Sequence, residues 1–156
     1  ITHSYWCGEA DNKFNWCPCP NNHHTQHKAV DMTYYQFSNN TYTVSTTNIR
    51  SIFDGKVYYI GRDRSGLGNH LIIESVIDDM TFYTVYGHLQ SFNNKNIKVG
   101  DFIHGGDIIG KEGSTGNSTG NHLHLEIYSM QKKGLLFKSK INYDFQLISR
   151  FAIRGE

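Results

Sequence analysis

The segment HLHLEIY at positions 122–128 alternates polar and apolar side chains, and this alternation constrains the fold more than any other feature. A β-strand points successive side chains to opposite faces, so His122, His124 and Glu126 are expected to share one face. The leucine and isoleucine side chains between them would then face a core. The pattern therefore predicts a half-buried strand that presents two imidazoles on its outward face.

Glycine-rich turns separate further short segments of this kind. Only two prolines occur, against 15 glycines, ten tyrosines and nine phenylalanines, a composition typical of an all-β domain. No segment shows the period of a long amphipathic helix. The predicted strands span residues 42–46, 51–60, 70–76, 81–88, 107–111 and 122–128. The C-terminal stretch 141–153 has no clear period and is predicted as loop or edge strand.

Length and charge limit the classes of function. A chain of 156 residues with 38% hydrophobic residues suits one domain, spanning 1–156, with its own core. Charged residues make up 19% and the formal net charge is +1, which gives no electrostatic reason to bind nucleic acid or an anionic membrane. No apolar run approaches the roughly 18 residues of a transmembrane segment. Because the first residues, ITHSYW, resemble no signal peptide, we expect a processed product or an excised domain.

All three cysteines, Cys7, Cys17 and Cys19, fall close to the N-terminus. One interpretation is a disulfide between Cys7 and one of the other two, with one thiol left free. A zinc knuckle completed by His23 and His24 is the alternative, although the usual CxxC spacing is absent. The clustering favours maturation in an oxidising compartment.

Several histidines have a spacing compatible with a metal site. His27 and Asp31 are four residues apart, His88 ends a predicted strand, and His122 and His124 alternate within another. Zinc in a hydrolytic site takes three protein ligands from His, Asp, Glu or Cys and keeps one position for water. Spacing by itself leaves two interpretations open, a zinc site or ordinary solvent-exposed histidines.

A family resemblance adds to these observations. The segments that carry it stand in the order HKAVDM, FDGKVYYIG, GLGNHLIIES, VYGHL and IKVGDFIHGGDIIGKEGSTGNSTGNHLHLEI. Together they cover about residues 29–128 and resemble the lysostaphin-type, LytM-like zinc metallopeptidases, which cut peptidoglycan peptides. The resemblance implies a single antiparallel β domain with a duplicated hybrid motif, a central sheet and a loop-lined groove.

The resemblance also implies roles for five residues. His27, Asp31 and His124 would be the zinc ligands. His88 and His122 would handle protons and stabilise the tetrahedral intermediate. The implied function is that of a zinc-dependent endopeptidase acting outside the cytoplasm on peptide stems or cross-bridges of bacterial peptidoglycan, in a secreted, periplasmic or phage-associated form.

Two other functions remain as alternatives. A non-catalytic relative would bind the cell wall or activate another hydrolase, but such relatives lose ligands, and all five positions are filled here. Zinc as a structural staple would need a fourth ligand, for which His23, His24 or a cysteine could serve. An active zinc-dependent endopeptidase therefore remains the leading hypothesis.

The chain departs from the family pattern in several places. Ala29 replaces a usual glycine, and Asn121 replaces a common proline, and neither change removes a ligand. Residues 32–49 exceed the usual connection, so we expect an extra hairpin or lobe that borders the groove and shapes substrate choice. Residues 1–22 match no family segment. Glu126 is expected to contact a ligand or solvent rather than bind metal itself.

Overall fold

The computed structural model describes residues 2–6, 29–78, 80–93, 97–131 and 134–136, with side-chain environments for the part between 29 and 127. His27, the three cysteines, His23, His24 and residues 141–153 lie outside the described residues. The expectations for those residues therefore stay predictions.

The described residues form short strands, and no helix occurs among them. The strands are β1 (Thr2–Trp6), β2 (Val30–Ser38), β3 (Thr41–Val44), β4 (Asn48–Arg50), β5 (Gly55–Arg62), β6 (Asn69–Ile77), β7 (Met80–Gly87), β8 (Ser91–Phe92), β9 (Phe102–Ile103), β10 (Ile108–Lys111), β11 (Leu123–Gln131) and β12 (Gly134–Leu136). Accordingly, no helix in these ranges has the length and apolarity to cross a membrane.

The strands assemble into two antiparallel sheets. The larger sheet has nine strands in the order β1-β2-β11-β7-β6-β5-β9, with β3 paired to β2 and β12 paired to β11. The smaller sheet has the order β4-β10-β8. The predicted all-β, antiparallel class is confirmed.

A contiguous apolar core lies between the sheets because strand alternation turns one face of each strand inward. Its buried members come from both sheets: Val30, Met32, Ile49, Val57, Leu71, Ile73, Tyr86, Leu89, Ile109, Leu123 and Leu125. The two leucines of the opening motif are fully buried, as the alternation predicts. Burial raises the pKa of Tyr86 to about 12, and its hydroxyl oxygen accepts a hydrogen bond from Ile52 N at 2.9 Å. Tyr86 thereby links β7 to the connection between β4 and β5.

The sequence pattern located six of the twelve strands but misplaced one boundary. The predicted strand 51–60 begins at Gly55 instead, because the preceding residues form a turn in which Ser51 Oγ donates to the Phe53 carbonyl at 2.8 Å. Six strands were not predicted: β1, β2, β4, β8, β9 and β12. Of these, β4, β8, β9 and β12 have only two or three residues, which is too short to show a period.

Residues 32–49 contain most of a β-hairpin. Strand β2 continues past its pairing with β11 and turns at Asn39 and Asn40 into β3. Both asparagines have left-handed backbone angles, φ 49° and 58°, as a two-residue hairpin turn requires. The Asn-Asn pair between two aromatic segments was a sequence signal for this turn that the strand prediction did not use.

Candidate metal and catalytic site

Asp31 and His124 meet across two neighbouring strands of the large sheet. They are register partners in the β2–β11 pairing, with core residues on either side along both strands. His124 Nδ1 lies 3.0 Å from Asp31 Oδ1. The sheet therefore brings together two residues that are far apart in sequence and that were predicted as zinc ligands.

The chemistry of this pair fits a zinc ion. Two ligands at about 2.0–2.2 Å from a tetrahedral zinc are separated by about 3.4 Å, close to the observed spacing of Asp31 and His124. The third predicted ligand, His27, is not among the described residues. Within the described ranges, accordingly, no group of three His, Cys, Asp or Glu side chains forms a complete metal site.

Glu126 contacts the second nitrogen of His124. The Glu126 Oε1 atom lies 2.7 Å from His124 Nε2, so the imidazole is held between two carboxylates. Burial disfavours the charged ring, but the hydrogen bonds and charges of Asp31 and Glu126 outweigh this and raise the pKa of His124 to about 9. The arrangement fixes the ring orientation and leaves Nδ1 facing Asp31.

His122 lies beside this pair with one nitrogen already engaged. Its Nδ1 lies 2.8 Å from the Gly120 carbonyl oxygen, which can only accept, so Nδ1 carries the proton. The other nitrogen, Nε2, lies 3.9 Å from Asp31 Oδ1. In the neutral ring this Nε2 has a free lone pair directed to the same side as the Asp31–His124 pair.

His88 completes the cluster from the end of β7. Its ring centroid lies 4.6 Å from that of His122 and 5.5 Å from that of His124. Burial lowers the pKa of His88, and the neighbouring histidines add to the effect, although the Thr115 carbonyl and Asp31 oppose it. His88 is therefore a neutral imidazole at neutral pH. Its φ of 58° is strained for a residue other than glycine, as is often found at functional sites.

Thr115 is a positioning residue that the sequence interpretation did not single out. Its carbonyl accepts a hydrogen bond from His88 Nδ1 at 2.8 Å. Its hydroxyl accepts from Asn69 N and donates to the Leu89 carbonyl, both at 2.9 Å. Thr115 thus connects the start of β6 with the loop after β7, and the signal for it was its place in the glycine-rich motif.

The glycine-rich loop 113–120 packs backbone against backbone on the turn before β6. At Gly116, with φ 74°, an added Cβ would lie 2.3 Å from Gly68 N and 2.5 Å from the Gly66 carbonyl oxygen. The loop can reach Asn69 and His88 only because no side chain intervenes.

Two further histidines whose side chains are described, His70 and His104, have other roles. His70 is buried on β6, contacts the Gly68 carbonyl oxygen at 3.0 Å, and covers its cross-strand partner Gly61. His104 is exposed on the turn after β9, with its ring against Phe102. The structure thus brings together Asp31, His88, His122 and His124 of the predicted site, whereas His70 and His104 contact other residues.

An antiparallel sheet that presents clustered imidazoles and a carboxylate near the ends of neighbouring strands is the kind of site found in hydrolytic metalloenzymes. The sequence pattern of Peptidase family M23 matches residues 26–135, and the chain belongs to this family.

Individual relatives agree with this assignment. The chain is 42% identical over 80 residues to glycyl-glycine endopeptidase ALE-1 from Staphylococcus capitis, a match that covers 51% of this chain and 21% of the relative. The chain thus spans about a fifth of that protein. Among solved structures, the catalytic domain of prophage-encoded M23 protein EnpA from Enterococcus faecalis matches with TM-score 0.56 and 28% identity, covering 80% and 83% of the two chains. The lysostaphin catalytic domain from Staphylococcus simulans matches with TM-score 0.54 and 29% identity, covering 81% of each.

Proposed function

We propose that the protein is a zinc-dependent endopeptidase that hydrolyses peptide cross-links of bacterial peptidoglycan. The observation that carries the proposal is the convergence of Asp31, His124, His122 and His88 near the ends of three neighbouring strands of the large sheet, β2, β11 and β7. Two of these residues suit metal binding, and the other two donate from Nδ1 to backbone carbonyls, which leaves Nε2 as the acceptor nitrogen of the neutral ring. Because the chain belongs to a peptidase family, we infer that the substrate of this site is a peptide.

The relatives suggest where to look for the substrate. The similarity to a glycyl-glycine endopeptidase makes glycine-containing cross-bridges the first substrate to test. Because cross-links of this kind lie in the cell wall, the proposed site of action is extracytoplasmic.

The zinc would be held by Asp31, His124 and His27, with Glu126 orienting His124. When bound in such a site, zinc activates a water molecule and polarises the scissile carbonyl. Asp31 and His124 would offer their ligand atoms at fixed positions. The pairing of β2 with β11 holds the two residues side by side, and the Glu126 contact orients the His124 ring.

His122 and His88 would handle the protons. His122 Nε2 carries the lone pair on the side of the Asp31–His124 pair, so it can take a proton from the attacking water and later return it to the leaving amine. His88 Nε2 is available in the same way, because Nδ1 donates to Thr115. A low pKa keeps His88 able to accept a hydrogen bond or a proton at neutral pH.

Purified peptidoglycan provides the direct test. The protein should release cross-bridge fragments, a chelator should abolish the release, and added zinc should restore it. Mass spectrometry of products from defined muropeptides then identifies the bond. Binding to peptidoglycan without cleavage, in protein loaded with zinc, would instead support the non-catalytic alternative.

A further inference from the structure

The β2–β3 hairpin carries an exposed apolar face that the catalytic chemistry does not use. Phe37 and Tyr42 are direct cross-strand partners with ring centroids 4.7 Å apart. They are 57% and 50% exposed, and Val44 is 52% exposed. Large apolar side chains exposed side by side in this way mark binding surfaces more often than isolated ones do.

This face continues from the candidate site. Alternate residues of a strand share one face, so Asp31, Thr33, Tyr35 and Phe37 lie on the same side of β2. The opposite face of the exposed hairpin is polar: Gln36, Ser38, Thr41 and Thr43. The hairpin is therefore amphipathic, and its apolar side is the side of the Asp31 carboxylate.

The base of the hairpin is attached to the residue that precedes His122. The Thr33 hydroxyl donates to the Asn121 carbonyl at 3.2 Å, and Asn121 Nδ2 donates to Thr46 Oγ1 at 3.2 Å. Both arms of the hairpin are thus fixed relative to the catalytic histidines. Asn121, which replaces the common proline of the family, makes one of these contacts with its side chain.

The chemistry of the hairpin points to a neutral ligand. Residues 32–49 contain no Asp, Glu, Lys, Arg or His, whereas 19% of the whole chain is charged. They are rich in Tyr, Asn, Thr and Ser, which combine flat rings with hydroxyl and amide groups for hydrogen bonding. A pyranose ring has apolar C–H faces and a rim of hydroxyls, so it matches both properties.

The distance also fits a saccharide attached to the substrate peptide. Asp31 and Phe37 are six positions apart on an extended strand, which corresponds to about 20 Å. A stem peptide of about five residues spans about 17 Å. With the scissile bond at Asp31 and His124, the sugar that bears the stem would therefore reach the aromatic pair.

We propose that the Phe37–Tyr42 face of the hairpin binds pyranose rings of the glycan strand while the stem or cross-bridge occupies the catalytic site. This inference rests on the proposed function and extends it from the cleaved peptide to the attached saccharide. Phe37 and Tyr42 are specificity-determining residues in this proposal.

The test compares glycan strands freed of their peptides with a sugar-free cross-bridge peptide. The variant Phe37→Val/Tyr42→Val keeps β-forming, apolar side chains but removes both rings. Its affinity for peptide-free glycan strands should fall about tenfold, as expected for loss of stacked aromatic contacts. On cross-linked peptidoglycan its kcat/KM should fall about tenfold further than on the sugar-free peptide, mainly through KM.

Two control variants make the result specific. Gln36→Thr/Thr43→Val changes the neighbouring pair on the opposite face of the same hairpin. Phe102→Val changes an aromatic residue on β9 that is 55% exposed, closely matching Phe37. Both variants should keep glycan affinity, and equal melting temperatures would show that the hairpin variants are folded.

Three results would overturn the inference: a wild-type protein that does not bind peptide-free glycan strands, unchanged affinity in the double variant, or equal weakening by the opposite-face control. Glycan binding requires no turnover. A protein that binds these strands through Phe37 and Tyr42 but cleaves no cross-link would support this inference and refute the proposed endopeptidase function.

Discussion

His88 and Thr115 are joined by a hydrogen bond of 2.8 Å from the imidazole Nδ1 to a backbone carbonyl. This bond fixes the tautomer of a candidate catalytic base through the position of a loop, not through another side chain. The loop in turn is fixed by backbone contacts of Gly116 with the turn before β6. The role proposed for His88 therefore depends on the backbone position of Gly116.

Replacing Gly116 tests this dependence. Gly116→Ala places a Cβ about where the Gly68 backbone lies and at an unfavourable φ of 74°, so we expect a loss of roughly 1–3 kcal/mol of stability. Turnover should also fall, because displacement of Thr115 releases His88. Gly120→Ala is the matched control within the same loop, since an added Cβ meets nothing within 4 Å. Denaturant unfolding measures the stability of the two variants, and peptidase assays measure their turnover. Equal stability and equal turnover in Gly116→Ala and Gly120→Ala would contradict the dependence of His88 on Gly116.

The neighbouring histidines of the HLH motif should separate under mutation. His124→Ala removes a predicted ligand, so zinc binding should weaken greatly and activity should vanish with it. His122→Ala should retain about one zinc per chain and lose roughly 10²–10⁴ in rate, the usual contribution of a positioned acid or base. His88→Ala should behave like His122→Ala. Metal analysis and turnover assays on the three variants distinguish a zinc ligand from a proton carrier. Loss of zinc from His122→Ala, with zinc retained in His124→Ala, would show that the roles of the two histidines are exchanged.

The sequence was sufficient to predict those parts of the fold and of the site that follow from strand alternation and from a long motif. The period in HLHLEIY predicted both the burial of Leu123 and Leu125 and the shared face of the two histidines. The pairing of Asp31 with His124 did not follow from spacing, because register between distant strands is a property of the whole sheet.

Other features lay beyond sequence reasoning for physical reasons. Thr115 acts through a backbone carbonyl, which every residue possesses, so its type could not reveal its contact with His88. The short strands β8 and β9 are held by pairing with their neighbours and show no period of their own. Residues 32–49 were expected to form a hairpin or lobe, but not an amphipathic one, since the direction of the apolar face depends on the register between β2 and β3.

Glu126 should influence metal affinity although it is not a predicted ligand. Its carboxylate holds His124 Nε2 at 2.7 Å, and loss of such an orienting partner typically weakens metal binding by about 10–100-fold. Glu126→Leu should show this effect in a competition titration with a zinc chelator. Glu126→Gln keeps an acceptor and should lie between the variant and the wild type. Unchanged affinity in Glu126→Leu would show that the sheet alone positions the ring.

Glu112 should make stability depend on pH. This fully buried carboxyl follows β10, and its Oε1 accepts a hydrogen bond from Tyr34 N at 3.3 Å, while Oε2 has no hydrogen-bond partner in the described part of the chain. Burial raises its pKa from 4.5 to about 7, against the opposing effect of backbone hydrogen bonds from Tyr34 and Thr47. The folded state therefore binds this proton more tightly than the unfolded chain does. The resulting stability is fully present below pH 4.5 and is lost as the pH rises through about 7.

The variant Glu112→Gln removes the buried charge and keeps an oxygen for Tyr34 N. At pH 8 it should be more stable than the wild type by up to about 3 kcal/mol, the energy that corresponds to the raised pKa. Near pH 4, where the wild-type carboxyl is protonated in both the folded and the unfolded state, the two proteins should unfold with nearly equal free energies. Urea unfolding at the two pH values measures this difference. A gap between variant and wild type that is the same at both pH values would mean that Glu112 does not titrate in this range, and that its burial is stabilised by contacts other than the one with Tyr34.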